Sequence, residues 1–177
     1  MILPAQLIPT EKQGIPLPSG ATAALPVCHP VFLRWNDKPP AFDFGGKPII
    51  NDGGKPVFAE LALLNLFCAS GWDGVWVETF GGTHFLREMP SGWKLAPHHG
   101  AVPKEKDDLL RAIWKIARTT ACFDIFAWND TELIFCEAKQ ERKDRLTGAQ
   151  HKFIEGALQC GVPSDSLLIA EWKFKEE

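Results

Sequence analysis

The sequence predicts an α/β domain in which helices flank a mixed sheet. Two segments, 104–118 and 147–160, space their apolar residues as helices do, and two apolar runs within 121–139 are joined by a turn. Across the 177-residue chain, 45% hydrophobic and 23% charged residues are typical of one globular domain with a buried core. The expected order is helix, strand, inserted helix, strand, strand, helix, strand.

Residues 1–50 are predicted to form a proline-rich arm packed on the main domain, which spans 51–177. Nine of the fourteen prolines lie in this arm, and proline lacks the amide donor that central strands and helix interiors need. We therefore expect loops and short edge strands, such as the apolar run 31–33. Gly-Gly-Lys-Pro occurs at 45–48 and again at 53–56, which indicates hairpin-like turns.

The first helix of the main domain is predicted over 57–69, a stretch rich in helix-forming residues. Pro56 suits the first turn of a helix, Gly71 suits its end, and Glu60 is the one acid within it. The β-branched and aromatic run 75–80 predicts the strand that follows.

An insertion is expected at about 81–118. It contains a short strand and a loop before 103, and then an amphipathic helix at 104–118. Apolar residues recur there at close to a helical period, namely Leu109, Leu110, Ile113, Trp114, Ile116 and Ala117.

The segments 121–128 and 131–139 predict a β-hairpin around Asn129 and Asp130, a pair that tolerates tight-turn geometry. Both segments are mostly apolar, as central strands are. The last helix is predicted to begin at Thr147, and a final strand should follow near the C-terminal end of the sequence.

Asp124, Glu137 and Lys139 are the candidate chemical residues of this hairpin. A two-residue loop would place Asp124 opposite Phe135 and diagonal to Glu137, with both acids and the lysine on one face. Diagonal neighbours lie about 7–8 Å apart, a span across which two carboxylates can reach one hard cation. A carboxylate among apolar neighbours needs a partner, and a metal ion is one such partner.

This pattern predicts metal-assisted hydrolysis of phosphodiester bonds with Mg²⁺ or Mn²⁺. Asp124, Glu137 and the Ala138 carbonyl would hold the metal, and Lys139 would orient or activate water and offset developing charge. A second interpretation treats Glu137 and Lys139 as an exposed cross-strand charge pattern and Asp124 as an acceptor for a nearby amide.

The run from Cys136 to Val162 resembles the virus-type replication-repair nuclease family, VRR-Nuc, of the PD-(D/E)XK superfamily. That family typically has a strand ending in Glu-x-Lys, then Asp-Arg-Leu, a glutamine near the start of the next helix and a glycine that closes it. The matching positions, in the same order, are Glu137, Lys139, 144–146, Gln150 and Gly161. The resemblance, over about 57–173, implies a restriction-endonuclease-like core, a central mixed four-stranded sheet flanked by helices in the order αβ(α)ββαβ.

The resemblance also implies roles for individual residues. Asp124 would be the first metal ligand, Glu60 a helical acid that supports the metal, and Gln150 a further catalytic residue. Gln150 also completes a capping box with Thr147, and both roles stay open. The chain departs from the family at Phe123, where a proline is common, and in its long insertion, which bears on whether Glu60 reaches the site.

A formal net charge of −3 argues against coating of nucleic acid through bulk charge, so DNA needs a local basic surface. Basic residues follow the candidate site, interspersed with Glu141 and Asp144. Either a solvated linker or a phosphate-binding patch fits this pattern. The basic residues are Lys139, Arg142, Lys143, Arg145 and Lys152.

The resemblance implies an endonuclease that acts on structured or branched DNA in repair, replication or mobile-element biology. A homodimer would suit the cutting of two strands. Two other functions stay open: a nucleic-acid-binding module that does not cut, and a metal-dependent hydrolase of a small molecule. The sequence has no apolar run of the ~18 residues that span a bilayer, and its five cysteines are scattered, so we expect a cytoplasmic protein with reduced thiols.

Overall fold

The computed structural model describes residues 2–79, 82–92 and 101–176. These residues contain three α-helices: α1 (Ala59–Ala69), α2 (Lys104–Ala117) and α3 (Gly148–Gln159). Their ten strands are β1 (Glu11–Pro16), β2 (Thr22–Cys28), β3 (Val31–Arg34), β4 (Ile50–Asp52), β5 (Lys55–Val57), β6 (Asp73–Glu78), β7 (His84–Leu86), β8 (Ile125–Trp128), β9 (Leu133–Gln140) and β10 (Leu167–Phe174). Short 3₁₀ turns lie at Ala5–Leu7 and Ser164–Ser166.

The ten strands form one mixed sheet. Its main path runs β5-β4-β3-β10-β9-β8-β6-β7, and the β1–β2 hairpin joins it at β10. β10 is parallel to β9, whereas β9, β8 and β6 pair antiparallel. The predicted α/β class and mixed sheet are confirmed. The sheet has ten strands where four were expected, because the chain before α1 contributes five strands and β7 adds another.

Strands from the first fifty residues widen the sheet. β2 pairs with residues 169–170 of β10 and β3 with residues 173–174, both in parallel, so β10 is an interior strand. β1 then covers the other side of β2. The arm was expected to consist of loops and short edge strands. The strand expected at 31–33 is present as β3, and β1 lies at an edge, but β2 and β3 are interior strands, because a break at His29 and Pro30 lets both pair with β10 in succession.

Helices cover both faces of the sheet. α1 packs on one face, where Leu63 and Phe67 belong to a buried cluster with Ile134 and other sheet residues. α2 and α3 cover the opposite face, where the rings of Phe126 and Phe135 stack with centroids 4.3 Å apart. No helix in the described ranges is long and apolar enough to cross a bilayer.

A glycine sets the close approach of α2 and α3. A Cβ atom added at Gly156 would lie 2.8 Å from the Ala117 Cβ and 3.0 Å from the Ile113 carbonyl oxygen. Any larger residue would therefore push α3 away from α2. This contact fixes the helix whose first turn carries Gln150.

The predicted helices agree with the structure to within about two residues. Thr147 is the N-cap of α3 and forms the predicted capping box: its Oγ1 accepts from the Gln150 amide at 3.2 Å, and Gln150 Oε1 accepts from the Thr147 amide at 2.9 Å. The strand expected at 75–80 corresponds to β6. Residue 80, the last of that expected strand, and residues 81 and 93–100 of the expected insertion lie outside the described residues.

The hairpin loop between β8 and β9 has four residues, not two. Trp128 pairs with Leu133, and the Asn129 side chain accepts hydrogen bonds from the amides of Thr131 and Glu132 at 3.0 and 2.8 Å. Asparagine thus organises a longer turn through its own side chain. The prediction that Asp124 faces Phe135 is wrong.

Candidate active site

Glu137 is the centre of a buried hydrogen-bonded cluster near the end of β9. Its side chain is 2% exposed, and its Oε1 accepts from Lys139 Nζ at 2.7 Å and from Gln150 Nε2 at 2.6 Å. The Lys139 side chain is 12% exposed, and its Nζ lies 3.4 Å from Gln150 Oε1. Because Glu137 is buried and Lys139 is largely shielded, they do not form the solvent-exposed pattern that the second interpretation described.

Asp124 lies directly before β8 and opposite Glu137, since Ile125 pairs with Cys136. Its backbone amide donates to Glu137 Oε2 at 3.3 Å, and its Oδ2 accepts from the Ala138 amide at 2.9 Å. Its carbonyl oxygen also accepts from the Val77 amide of β6 at 2.7 Å. Asp124 is therefore hydrogen-bonded to both neighbouring strands. Its carboxylate faces Glu137 and accepts a hydrogen bond from the Ala138 amide.

Glu60 lies in the first turn of α1 and is buried. Its Oε1 forms a close ion pair with Lys47 Nζ. Its Oε2 is buried and has no hydrogen-bond partner among the described residues. The charge of Glu60 helps to raise the pKa of Asp124, although Glu60 makes its ion pair with Lys47 and not with a residue of the Glu137 cluster.

Lys47, the ion-pair partner of Glu60, was not predicted from the sequence as a residue of this region. Its ammonium lies 5.3 Å from the ring centroid of Phe58, 5.4 Å from that of Trp76 and 5.9 Å from that of Phe44. Aromatic faces attract a cation at such distances, so Lys47 is held by three rings as well as by Glu60.

A tight loop positions Lys47. Phe44, Gly45 and Gly46 all have positive φ, and the Asp43 carbonyl accepts from the Lys47 amide at 2.8 Å. A positive φ at Phe44 costs about 1–2 kcal/mol, and the packing of its ring on Phe58, with centroids 5.6 Å apart, offsets this cost.

The two Gly-Gly-Lys-Pro copies have different structures. In the second copy, Gly53 and Gly54 form the two-residue loop between β4 and β5, and Lys55 is exposed. In the first copy, the glycines turn the chain so that Lys47 reaches Glu60. The tetrapeptide alone indicates a turn in both cases and carries no signal that separates the two lysines.

Burial and like charge dominate the electrostatics of the site. Burial raises the pKa of Asp124 well above its usual range, and the charges of Glu137 and Glu60 raise it further. The hydrogen bond from the Ala138 amide and the charge of Lys47 lower this pKa by less. Burial also raises the pKa of Glu137, although Lys139 and the Gln150 hydrogen bond oppose this.

Burial lowers the pKa of Lys47, but the charge and hydrogen bond of Glu60, together with the charges of Asp124 and Glu78, outweigh this effect, so the pKa is raised overall. Lys47 therefore remains an ammonium ion at neutral pH. The two lysines compensate part of the negative charge of the cluster.

The oxygen atoms in this cluster are of the kind that Mg²⁺ and Mn²⁺ prefer. Asp124 and Glu137 face each other, Ala138 follows Glu137, and Glu60 has a buried oxygen without a hydrogen bond. Within the described ranges, however, no group of three or more His, Cys, Asp or Glu side chains is arranged to hold a metal ion. In this arrangement Lys47 and Lys139 occupy one oxygen of Glu60 and one of Glu137.

A groove of about 720 Å³ opens beside Lys139, between β1 and the linker 141–146. Arg142, Lys143 and Arg145 line it, and their side chains make no ion pair or hydrogen bond with another described residue. Three acids also line the groove, and each has a polar group nearby, which for Glu171 is a histidine that is charged only when protonated. Glu141 is 3.8 Å from Lys173, Glu171 is 3.8 Å from His29, and Asp144 accepts from the Gln140 amide at 2.9 Å.

Lys152, also predicted to bind nucleic acid, is not part of this groove. It lies on α3 and lines a separate recess with Arg118 and Glu155. The structure thus places three of the four predicted phosphate-binding residues beside the candidate site and the fourth elsewhere.

Comparisons with protein-family models, with curated proteins and with solved structures gave no match to this chain. Its candidate function is therefore inferred from the residues of the site and their geometry.

Proposed function

We propose that this chain is a Mg²⁺- or Mn²⁺-dependent endonuclease of the PD-(D/E)XK type, which hydrolyses phosphodiester bonds in structured or branched DNA. The observation that supports this most strongly is the convergence of Asp124 and Glu137, with Lys139 and Gln150 both bonded to Glu137. Two facing carboxylates beside a lysine offer the groups needed for metal-assisted phosphodiester hydrolysis.

The order of elements also supports the proposal. α1, β6, β8, β9, α3 and β10 follow one another as αβββαβ, with β7 and α2 inserted after β6. The four strands of this series are consecutive neighbours in the sheet, in the order β10-β9-β8-β6. The resemblance of residues 136–162 to VRR-Nuc nucleases implies the same series, and the remaining strands extend it on both sides.

The proposed metal ligands supply oxygen atoms, which hard divalent cations prefer. Asp124 and Glu137 would hold the metal together with the Ala138 carbonyl, and Glu60 would support it. A buried carboxylate oxygen without a hydrogen bond, such as Glu60 Oε2, is costly unless a cation compensates it. A bound Mg²⁺ would supply polarisation of the phosphate and a lower pKa for a water molecule.

Lys139 is the proposed catalytic cation. Its ammonium is held next to Glu137 and would orient the attacking water and offset negative charge that develops on the phosphate. Gln150 would fix both partners, because its amide group contacts Glu137 through Nε2 and Lys139 through Oε1. Such fixed geometry lowers the entropy cost of reaching the transition state.

The groove beside Lys139 would receive the DNA backbone. Arg142, Lys143 and Arg145 supply positive charge, and their side chains form no ion pair with another described residue. Contacts from such residues to phosphates position a nucleic acid without reading its sequence. This arrangement favours the phosphate-binding interpretation of the linker.

A nucleic-acid-binding module that does not cut is the second candidate. The observation that favours it is the pairing of Glu60 with Lys47 and of Glu137 with Lys139, which compensates charge in the cluster without a metal ion. Such a module would keep the basic groove and bind DNA in a salt-sensitive way.

Cleavage of labelled linear, flapped and four-way-junction DNA, with an RNA control, tests the proposal. Native protein should cut at least one DNA when Mg²⁺ or Mn²⁺ is present, and Lys139→Ala should cut about 10²–10³-fold more slowly. Lys175→Ala, at an exposed lysine outside the site, is the control and should behave as the native chain. Full activity of Lys139→Ala would contradict the assigned site, and salt-sensitive binding without cleavage would favour the non-cutting module.

A further inference from the structure

The candidate site has more negative charge than one metal ion and Lys139 would be expected to balance. Asp124 and Glu137 face each other, and Glu60 acts electrostatically on Asp124. Glu78, at the end of β6, acts on the same lysine as Glu60, namely Lys47. Acid-rich sites for phosphodiester hydrolysis often hold two metal ions about 3.5–4 Å apart, with carboxylates shared between them.

Lys47 lies at the position where a second cation would compensate these acids. It is ion-paired with Glu60, and its side chain is only 33% exposed. A recess of about 200 Å³ is lined by Lys47, Glu60, Ala138 and Asp144, so this lysine borders the same space as the proposed metal ligand Ala138.

The chain holds Lys47 there with features that an ordinary surface lysine lacks. The loop before it has three successive residues with positive φ, and Phe44 accepts this conformation although it is not glycine. Three aromatic rings surround the ammonium. Backbone strain of this kind persists only where the surrounding structure compensates it, and it is frequent at functional sites.

We infer that Lys47 is a built-in cation that takes the place of a second divalent metal ion, so that the site binds one metal ion. Glu60 Oε1 is occupied by the ammonium, which leaves Oε2 for a single cation held with Asp124 and Glu137. A second dication beside the ammonium would be repelled by it at short range in a poorly solvated site. This inference depends on the proposed metal-dependent activity.

Counting bound Mn²⁺ by isothermal titration calorimetry and by electron paramagnetic resonance tests the role of Lys47. The native chain should bind one Mn²⁺. Lys47→Gln removes the charge but keeps a hydrogen-bond donor for Glu60, and it should bind two. Lys55→Gln is the matched control, because Lys55 has the same position in the second Gly-Gly-Lys-Pro copy but is exposed; it should bind one.

The outcomes separate this inference from the proposed function. No Mn²⁺ binding by the native chain would overturn both. If the native chain and Lys47→Gln each bind one Mn²⁺ ion, only the role of Lys47 is overturned. The same holds if the native chain binds two Mn²⁺ ions.

A second pair of variants covers the case in which Lys47→Gln does not fold, as judged by circular dichroism. Glu60→Gln leaves Lys47 as an uncompensated cation near Asp124, and Lys47→Gln/Glu60→Gln removes that cation too. The double variant should bind Mn²⁺ at least about tenfold more tightly than Glu60→Gln, since the repulsion is gone. Equal affinities would overturn the inference.

Discussion

Asp124 and Glu137 face each other at the end of the β8–β9 pair, and each carboxylate accepts a hydrogen bond from a backbone amide of the opposite strand segment. The Asp124 amide lies 3.3 Å from Glu137 Oε2, and the Ala138 amide lies 2.9 Å from Asp124 Oδ2. Two carboxyl groups held this close disfavour each other's ionisation, and burial adds to the effect. Binding of a proton or of a cation reduces this repulsion, so pH and metal ions should both affect the stability of the protein.

The stability of the metal-free protein should depend on pH through Asp124. Its folded-state pKa is raised by burial and by Glu137 and Glu60, so above the unfolded pKa of about 4 the folded chain binds more protons than the unfolded chain. This contribution to stability is present at low pH and is lost as the pH rises through the raised value.

Asp124→Asn should therefore melt at a higher temperature than the native chain near neutral pH in the presence of a chelator. The expected gain is about 2–4 °C for each kcal/mol recovered, and it should shrink as the pH falls towards about 4. Asp165→Asn, at an exposed aspartate that pairs with Lys12, is the control. Thermal unfolding across this pH range decides the matter, and parallel curves for Asp124→Asn and the native chain would contradict it.

Glu137→Gln should weaken metal binding without loss of the fold. The Gln150 donor can still bond to the amide oxygen of the new residue, while the charge that would hold a divalent cation is lost. We expect Mn²⁺ affinity to fall by at least about tenfold, the scale seen when support of a metal site is removed. Calorimetric titration measures this, with Glu11→Gln on the exposed strand β1 as control. Unchanged affinity would assign the metal to other ligands.

The sequence placed Glu137 and Lys139 of the candidate site on the correct strand, whereas Asp124 was expected within a strand and lies directly before one. β8 and β9 consist mainly of apolar residues, several of them β-branched or aromatic. Because side chains alternate between the two faces of a strand, Glu137 and Lys139 were predicted on one face, and they do belong to one hydrogen-bonded cluster. The Thr147–Gln150 spacing likewise predicted the start of α3. Local signals such as alternation and capping carry this information because they act over a few residues.

Other features depended on contacts between distant parts of the chain. The Asn129 side chain lengthened the hairpin loop, which placed Asp124 opposite Glu137 and not diagonal to it. Lys47 reaches Glu60 only because a loop in the proline-rich arm folds over α1. The pairing of β2 and β3 with β10 is equally non-local, and no periodic pattern in the first fifty residues indicates it.

Gln150 should contribute to both stability and the site, and Thr147 to stability alone. Thr147→Ala removes one half of the capping box and should cost about 1 kcal/mol of unfolding free energy, with Mn²⁺ affinity close to native. Gln150→Ala should lower the unfolding free energy by a similar amount. It also removes the hydrogen bonds that position Glu137 and Lys139, so its Mn²⁺ affinity should fall. Urea unfolding together with metal titration separates the two effects. A loss of metal affinity in Thr147→Ala as large as in Gln150→Ala would mean that the helix cap alone positions the site.

Arg145 and Lys152 should differ in their effect on DNA binding, although both are basic and follow the candidate site. Arg145 lines the groove beside Lys139 and has no ion-pair partner among the described residues, whereas Lys152 lines a separate recess on α3. Arg145→Ala should weaken DNA binding uniformly across sequences and reduce the salt dependence of the affinity by about one unit of slope, because one phosphate contact is lost. Lys152→Ala should leave the slope unchanged.

Fluorescence anisotropy over a series of salt concentrations measures both slopes. A chelator is present so that no DNA is cut. Equal slopes for Arg145→Ala and the native chain would contradict the phosphate contact of Arg145, and a reduced slope for Lys152→Ala alone would place the DNA path on the α3 surface.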